Sequence, residues 1–212
     1  MKELNKKRIY ELDGLRGVAA LAVVFYHYTT RFSIKFNNDI ISNVIEFKYG
    51  HYGVQLFFVI SGFVIFMSIE KVKSPFEFLY KRFVRLYPTF WMSLFLTFFL
   101  LFLFGPDLIK PKYSQLFVNL TMVPKIFGFK AVDGVYWTLM VELFFYLLIF
   151  ILLLIKKIKD INKLSFLYLV LGFIFIVFNE TLDCYNYFDT IIMYYLHGLL
   201  FVMGIFFYKL WK

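Results

Sequence analysis

Cysteine is almost missing from this sequence: Cys184 is the only one in 212 residues. No intrachain disulfide can form, and no zinc site can be built from thiolates. Histidine is scarce too, at three, and no pair of candidate ligands has a zinc-type spacing, so no metal is expected. Internal repeats, low-complexity tracts and any stretch composed like a soluble domain are also missing. Charge of either sign is absent from four long apolar runs, 52–69, 86–105, 164–179 and 190–208.

What is present is apolar surface. Hydrophobic residues make up 61% of the chain and aromatic residues 24%, with a mean hydropathy of +0.73. A soluble domain has no interior large enough to hide that fraction, which places the chain in the membrane class. The net charge of +9 invites a nucleic-acid reading. The basic residues, however, cluster between apolar runs, a pattern that fits anionic lipid head groups and topology signals. Nucleic acid is therefore not an expected partner; the bilayer is.

Six runs have roughly the 20-residue length that crosses a bilayer: the four above together with 14–33 and 135–155. The basic N-terminal segment is followed by no small-residue cleavage site, so the first run reads as a retained span. The N-terminal segment carries Lys2, Lys6, Lys7, Arg8 and Arg16. Lys71, Lys73, Lys81, Arg82 and Arg85 join spans two and three, Lys156, Lys157, Lys159 and Lys163 join four and five, and Lys209 and Lys212 end the chain. Sixteen basic residues thus fall on one side and seven on the other, which puts both termini in the cytoplasm. The expected fold is all-α: a polytopic transmembrane helical bundle of about six spans, N-in and C-in, forming one domain over 1–212. The segment SQLFVNLTMVP, in the long link 106–134, is half a span and is expected to re-enter or to lie on the outer interface. Asn119-Leu-Thr121 and Asn179-Glu-Thr181 match the glycosylation sequon, a pattern too short to carry weight.

The first run, ELDGLRGVAALAVVFYHYTTR, holds an arginine and a histidine eleven residues apart. On a helix that separation is about three turns and about 16 Å of rise, so Arg16 and His27 share a face, one at the cytoplasmic mouth and one near mid-membrane. Asp13 and Arg31 fall close to the same stripe, while Gly17, Ala19, Ala20 and Ala22 offer small surfaces for helix packing. Charge facing lipid costs about 2.5–3.5 kcal/mol at the span centre, so the stripe implies a polar interior groove. A histidine hydrogen-bonded to a neighbouring helix, with Arg16 as a topology anchor, fits this segment equally well.

Three further stretches bear on the choice. GVQLFFVISGFVIF sets Ser61 and Gly62 inside span two, where a small pair permits close backbone approach or a kink. KRFVRLYP sets Arg82 and Arg85 one turn apart on the cytoplasmic rim, just before Pro88 opens span three. Such a pair can chelate a phosphate or simply anchor topology. VYWTLMVELFFYL buries Glu142 in span four, where a carboxylate demands a partner. His51, near Tyr49 and Tyr52, reads as loop surface or as an acceptor contact, and His197 as a packing or hydrogen-bonding residue.

Together these residues resemble the acyltransferase-3 family of bacterial integral-membrane O-acyltransferases. The resemblance rests on LDGLRGVAALAVVFYH at 12–27, GVQLFFVISGFVI at 53–65, KRFVRLYPTFW at 81–91 and YWTLMVELFFYL at 136–147, in family order and spacing, with FVMGIFFY at 201–208 as a weaker element. It implies that Arg16 and His27 are the essential catalytic pair and that Arg82 and Arg85 bind the acyl-coenzyme A donor. It also implies a donor-side element in Ser61 and Gly62, and supporting roles for Asp13, Trp137, Thr138 and Glu142. Gln55 stands where many members have Asp, Thr138 replaces the usual Ser, and Leu143 stands where a second Glu often follows. Further spans are implied beyond Lys212, so the chain reads as a C-terminally short member.

The implied reaction moves an acyl group, acetyl by expectation, from cytoplasmic acyl-CoA to a hydroxyl of a cell-surface glycan or lipid-linked sugar in the cell envelope. Acyl-CoA is a co-substrate, and no permanently bound cofactor is expected. Imidazole, which titrates near neutrality, is the natural base for acyl transfer to a hydroxyl. The long pantetheine arm suits phosphates held at the cytoplasmic mouth and a thioester reaching toward His27. General-base and acyl-histidine mechanisms both stay open. The competing readings are a non-catalytic membrane scaffold, which would tolerate His27→Ala, and a transporter subunit, which should show inverted segments broken by Gly or Pro. A different histidine-based membrane acyltransferase family would not supply the DGLRG and FFVISGF elements.

Overall fold

The computed structural model describes residues 9–36, 46–181 and 185–212; Lys2, Lys6, Lys7, Arg8 and Cys184 lie outside them. Every regular element among the described residues is helical, as the composition required. Among the described residues, three stretches are long and apolar enough to cross a membrane: Lys48–Ile69, Pro75–Phe104 and Gly134–Leu154. They coincide with the second, third and fourth expected spans. Tyr195–Trp211 is a shorter apolar helix.

The chain divides into two compact units, Met1–Ser68 with Asn186–Lys212, and Ile69–Tyr185. The first contains α1 (Tyr10–Tyr26), which runs without a break into a π-helical turn, His27–Arg31, and then α2 (Phe32–Phe36). The wider turn is closed by Phe32 N–H donating to the carbonyl of His27. A 3₁₀ turn, Lys48–His51, leads into α3 (Tyr52–Ile69). It packs on α1, and Phe47 N–H donates to the hydroxyl of buried Thr30 at 3.0 Å.

The expected close approach at Ser61-Gly62 is a helix crossing. A Cβ on Gly62 would collide with the carbonyl oxygen of Phe201, and one on Gly204 with that of Val59. Only residues without side chains let two backbones meet this closely. Above and below the crossing the grip is aromatic: Phe58 lies 5.1 Å from Phe201, and Phe63 meets Tyr208 edge-on at 5.3 Å.

The second unit is built on α4 (Pro75–Phe104), α5 (Tyr113–Asn119), α6 (Trp137–Leu154) and α7 (Ile161–Thr181), four of the α-helices in the chain order whose last member is α8 (Tyr185–Trp211). The sequence expectation that Pro88 opens the third span needs correcting, because Pro88 sits inside α4. The helix begins earlier, at a reciprocal cap. Ser74 Oγ accepts from Glu77 N–H at 3.1 Å, and Glu77 Oε2 accepts from Lys73 N–H at 2.7 Å. Pro75 fills the first helical position, where its missing N–H has no intrahelical partner to lose. Arg82 and Arg85 are therefore helical residues.

Phe90, Leu94 and Phe98, four residues apart on one stripe of α4, form the core of this unit with Leu116 and Met122. The half-span segment folds back onto that stripe. Its polar centre is Asn119, 1% exposed, whose amide donates to the carbonyls of Gln115 (2.7 Å) and Lys130 (3.2 Å) while its oxygen accepts from Val132 N–H at 3.1 Å. Tyr87 and Trp91 on α4 donate to the carbonyls of Thr121 and Leu120 at 3.3 and 3.2 Å. An asparagine so enclosed is a structural hub.

Candidate functional site

His27 opens the π turn, and its two ring nitrogens are fixed by different neighbours. Nδ1 lies 2.8 Å from the Val23 carbonyl oxygen. A carbonyl only accepts, so Nδ1 carries the proton. Nε2 faces Arg31 Nη1 at 3.4 Å, and a guanidinium only donates, so Nε2 presents its lone pair. The side chain is thus held as the tautomer whose outward nitrogen can take a proton, on a π turn of the kind that recurs at functional sites.

Asp13 and Arg16 lie half-buried on α1. Because the chain is α-helical from Arg16 through Tyr26, Arg16 and His27 share a face about 16 Å apart along the axis. The expected stripe is therefore real as backbone geometry. Ser61 is buried on α3, and Gly62 is taken up by the crossing with α8. His197 packs edge-on against Phe58 at 5.2 Å.

Rings extend from His27 along the same end of this unit. Tyr26 meets His27 edge-on at 5.4 Å and lies 5.5 Å from the His51 ring, which in turn is 4.1 Å from Tyr52. His51 Nδ1 donates to the Lys48 carbonyl at 2.7 Å, so its Nε2 also carries a lone pair.

In the second unit the two arginines diverge. Arg82 is buried at 6% exposure, its guanidinium over the rings of Phe78 at 5.3 Å and Tyr146 at 5.7 Å. Cation–π contact of this kind compensates part of the lost hydration. Tyr146 Oη donates to Glu142 Oε1 at 2.5 Å, and the Glu142 carboxylate supplies the opposing charge to Arg82. The half-buried carboxylate of α6 thus meets Tyr146 one turn along its own helix and opposes the charge of Arg82 on α4. Arg85 is exposed. Trp137 begins α6, and the Thr138 hydroxyl donates to the Val135 carbonyl at 3.0 Å. A cavity of about 370 Å³, walled mainly by apolar side chains such as Leu79, Phe83, Leu86 and Leu147, has Arg82 and Tyr146 on its lining.

Among the expected residues, Arg82 and Glu142 are brought together, whereas Arg16 and His27 share a helical face without meeting. Arg85 and Thr138 are turned to other surroundings. The sequence reading missed Tyr146 as the partner of Glu142 and Arg31 as the residue at His27 Nε2. Both were signalled by i, i+4 spacing, Glu142 to Tyr146 and His27 to Arg31, the separation at which helical side chains meet.

No solved structure matches the chain. Two curated relatives do. "Putative acetyltransferase ORF330" of Acidianus two-tailed virus is 27% identical over 165 residues, covering 77% of this chain and 46% of that protein. "Protein 2 in picA locus" of Rhizobium radiobacter is 36% identical over 99 residues, covering 44% of this chain and 46% of that protein. The chain therefore spans about half the length of these relatives. A family model described as an acyltransferase domain matches residues 9–212, the span that holds the arginine–histidine stripe, the Ser61-Gly62 crossing and the Arg82–Glu142 cluster, and the chain belongs to the acyltransferase-3 family.

Proposed function

We propose that this protein is a membrane O-acyltransferase that moves an acyl group, acetyl in the simplest case, from cytoplasmic acyl-CoA to a hydroxyl of a cell-surface glycan or lipid-linked sugar. The observation that carries the reading is the pair of contacts at the His27 ring, Nδ1 to the Val23 carbonyl and Nε2 to Arg31 Nη1. With Nδ1–H held by the Val23 carbonyl, Nε2 is the one nitrogen of that ring able to accept a proton.

In the proposed step Nε2 takes the proton of the acceptor hydroxyl as its oxygen attacks the thioester carbonyl. The carbon–sulfur bond then breaks, and the imidazolium returns the proton to the departing thiolate. Arg85, exposed on α4, is proposed to hold the phosphates of the donor, with Arg82 one turn before it as a buried support. The cytoplasmic membrane is the proposed location.

His27→Ala in the native chain should reduce acylation of the surface glycan by about 10²–10⁴-fold, the usual share of a general base. Mass spectrometry of the isolated glycan reads this directly, with protein level and thermal stability in detergent staying near wild type. Acylation at the wild-type rate in this variant would overturn the assignment.

A further inference from the structure

We propose that the exposed ledge formed by Tyr49, His51 and Tyr52 is a binding site for a sugar ring of the acceptor. The inference rests on the acyltransferase reading above, and it adds to that reading where the acceptor sits.

Three observations lead to it. Tyr49 and Tyr52 are large aromatic residues left open, 78% and 50% exposed. Their rings are 6.3 Å apart and nearly parallel, at 14°, a stacked pair held in one orientation in place of scattered side chains. His51 lies between them in sequence and 4.1 Å from the Tyr52 ring. Its Nδ1 is committed to the Lys48 carbonyl, which leaves Nε2 to accept from a ligand hydroxyl.

The chemistry of that surface fits a pyranose. One face of such a ring is a patch of C–H groups with slight positive character, which meets the negative face of an aromatic quadrupole. The rim is hydroxyl, which needs hydrogen-bond acceptors beside the rings, and His51 Nε2 and the tyrosine hydroxyls provide them. A mere interfacial anchor needs an amphipathic ring and nothing more. Here the rings are mutually oriented and an oriented acceptor, His51, lies against the Tyr52 ring.

The ledge is also continuous with the proposed base. His51, Tyr26 and His27 follow one another at ring distances of 5.5 and 5.4 Å. A sugar stacked on Tyr49 and Tyr52 would have its hydroxyls directed along that row toward His27. The short 3₁₀ turn Lys48–His51 is packed on α1, so the ledge is held by the same helix that carries the histidine.

Saturation-transfer NMR on the full chain in detergent micelles tests the proposal, with methyl glycosides of glucose, galactose and N-acetylglucosamine as probes. Saturation of ring C–H protons is expected for at least one glycoside. Tyr49→Ala with Tyr52→Ala should weaken it about tenfold or more, and Tyr49→Ala alone about threefold. Replacing both by Phe should keep affinity within about threefold, because the stacking face remains. Acetyl-CoA affinity, measured by titration, should not change in any of these variants. His27→Ala should bind the glycosides as wild type does while failing to acylate. Absence of saturation with all three probes, or saturation unmoved by the double alanine variant, would overturn the ledge and leave the rings as interfacial anchors. Glycoside binding through the ledge in a wild-type protein that acylates no glycan would instead overturn the enzymatic reading and leave the ledge standing.

Discussion

Arg82 and Arg85 are three residues apart on one helix and live in opposite environments. Arg82 lies between Phe78 and Tyr146 with Glu142 supplying countercharge, while Arg85 is open to solvent or to a ligand. Their substitutions should therefore separate two roles. Arg85→Ala should weaken acetyl-CoA binding about ten- to a hundredfold, as expected for a lost charge-assisted contact to phosphate, and leave thermal stability alone. Arg82→Ala should destabilise the protein by about 1–3 kcal/mol, through the packing lost on Phe78 and Tyr146 and the half-buried Glu142 left without its countercharge. Titration in detergent reads the first and thermal unfolding the second. Donor affinity unchanged in Arg85→Ala would reduce that residue to a topology anchor.

Elements repeat the lesson in the backbone. The apolar runs and the small pair Ser61-Gly62 were legible because each rests on composition and size: a run without charge needs a nonpolar surrounding, and a glycine in mid-span invites a neighbour. The start of α4 was legible as well, in the Ser-Pro-Phe-Glu of residues 74–77, yet Pro88 drew the boundary away from it. A proline inside a long helix forfeits one hydrogen bond, whereas the reciprocal cap at Ser74 and Glu77 satisfies two donors at once, and the cap wins. The partner of Gly62 was not legible, because Phe201 is far away in sequence and no periodicity links the two. Gly62→Ala should cost about 1–3 kcal/mol or more, as the new methyl meets the Phe201 carbonyl and the crossing must open. Gly17→Ala makes the contrast, because nothing lies within 4 Å of a Cβ built there. It should be neutral or stabilising by about 0.5–1 kcal/mol, the usual gain of alanine over glycine inside a helix. Equal unfolding temperatures for the two variants would show that the crossing is not under that constraint.

At the scale of the whole molecule the membrane itself acts through the distribution of charge. Helix length and composition select segments able to cross, but both are blind to direction. Direction comes from basic residues in the links, because Lys and Arg flanking the spans resist translocation and are retained in the cytoplasm. With sixteen on one side and seven on the other, the bias falls on the side of the N-terminus, of Lys81, Arg82 and Arg85, and of the Lys156–Lys163 link. The proposed reaction needs the same orientation, since it takes its acyl group from a cytoplasmic donor and Arg85 belongs to a basic link on that side. Reporter fusions placed after Lys157 and after Cys184 test orientation without reference to activity. The first should report cytoplasm and the second the exterior. Reversed signals would put Arg85 on the outer side and remove the donor from its reach, so the charge bias and the proposed donor site stand or fall on one measurement.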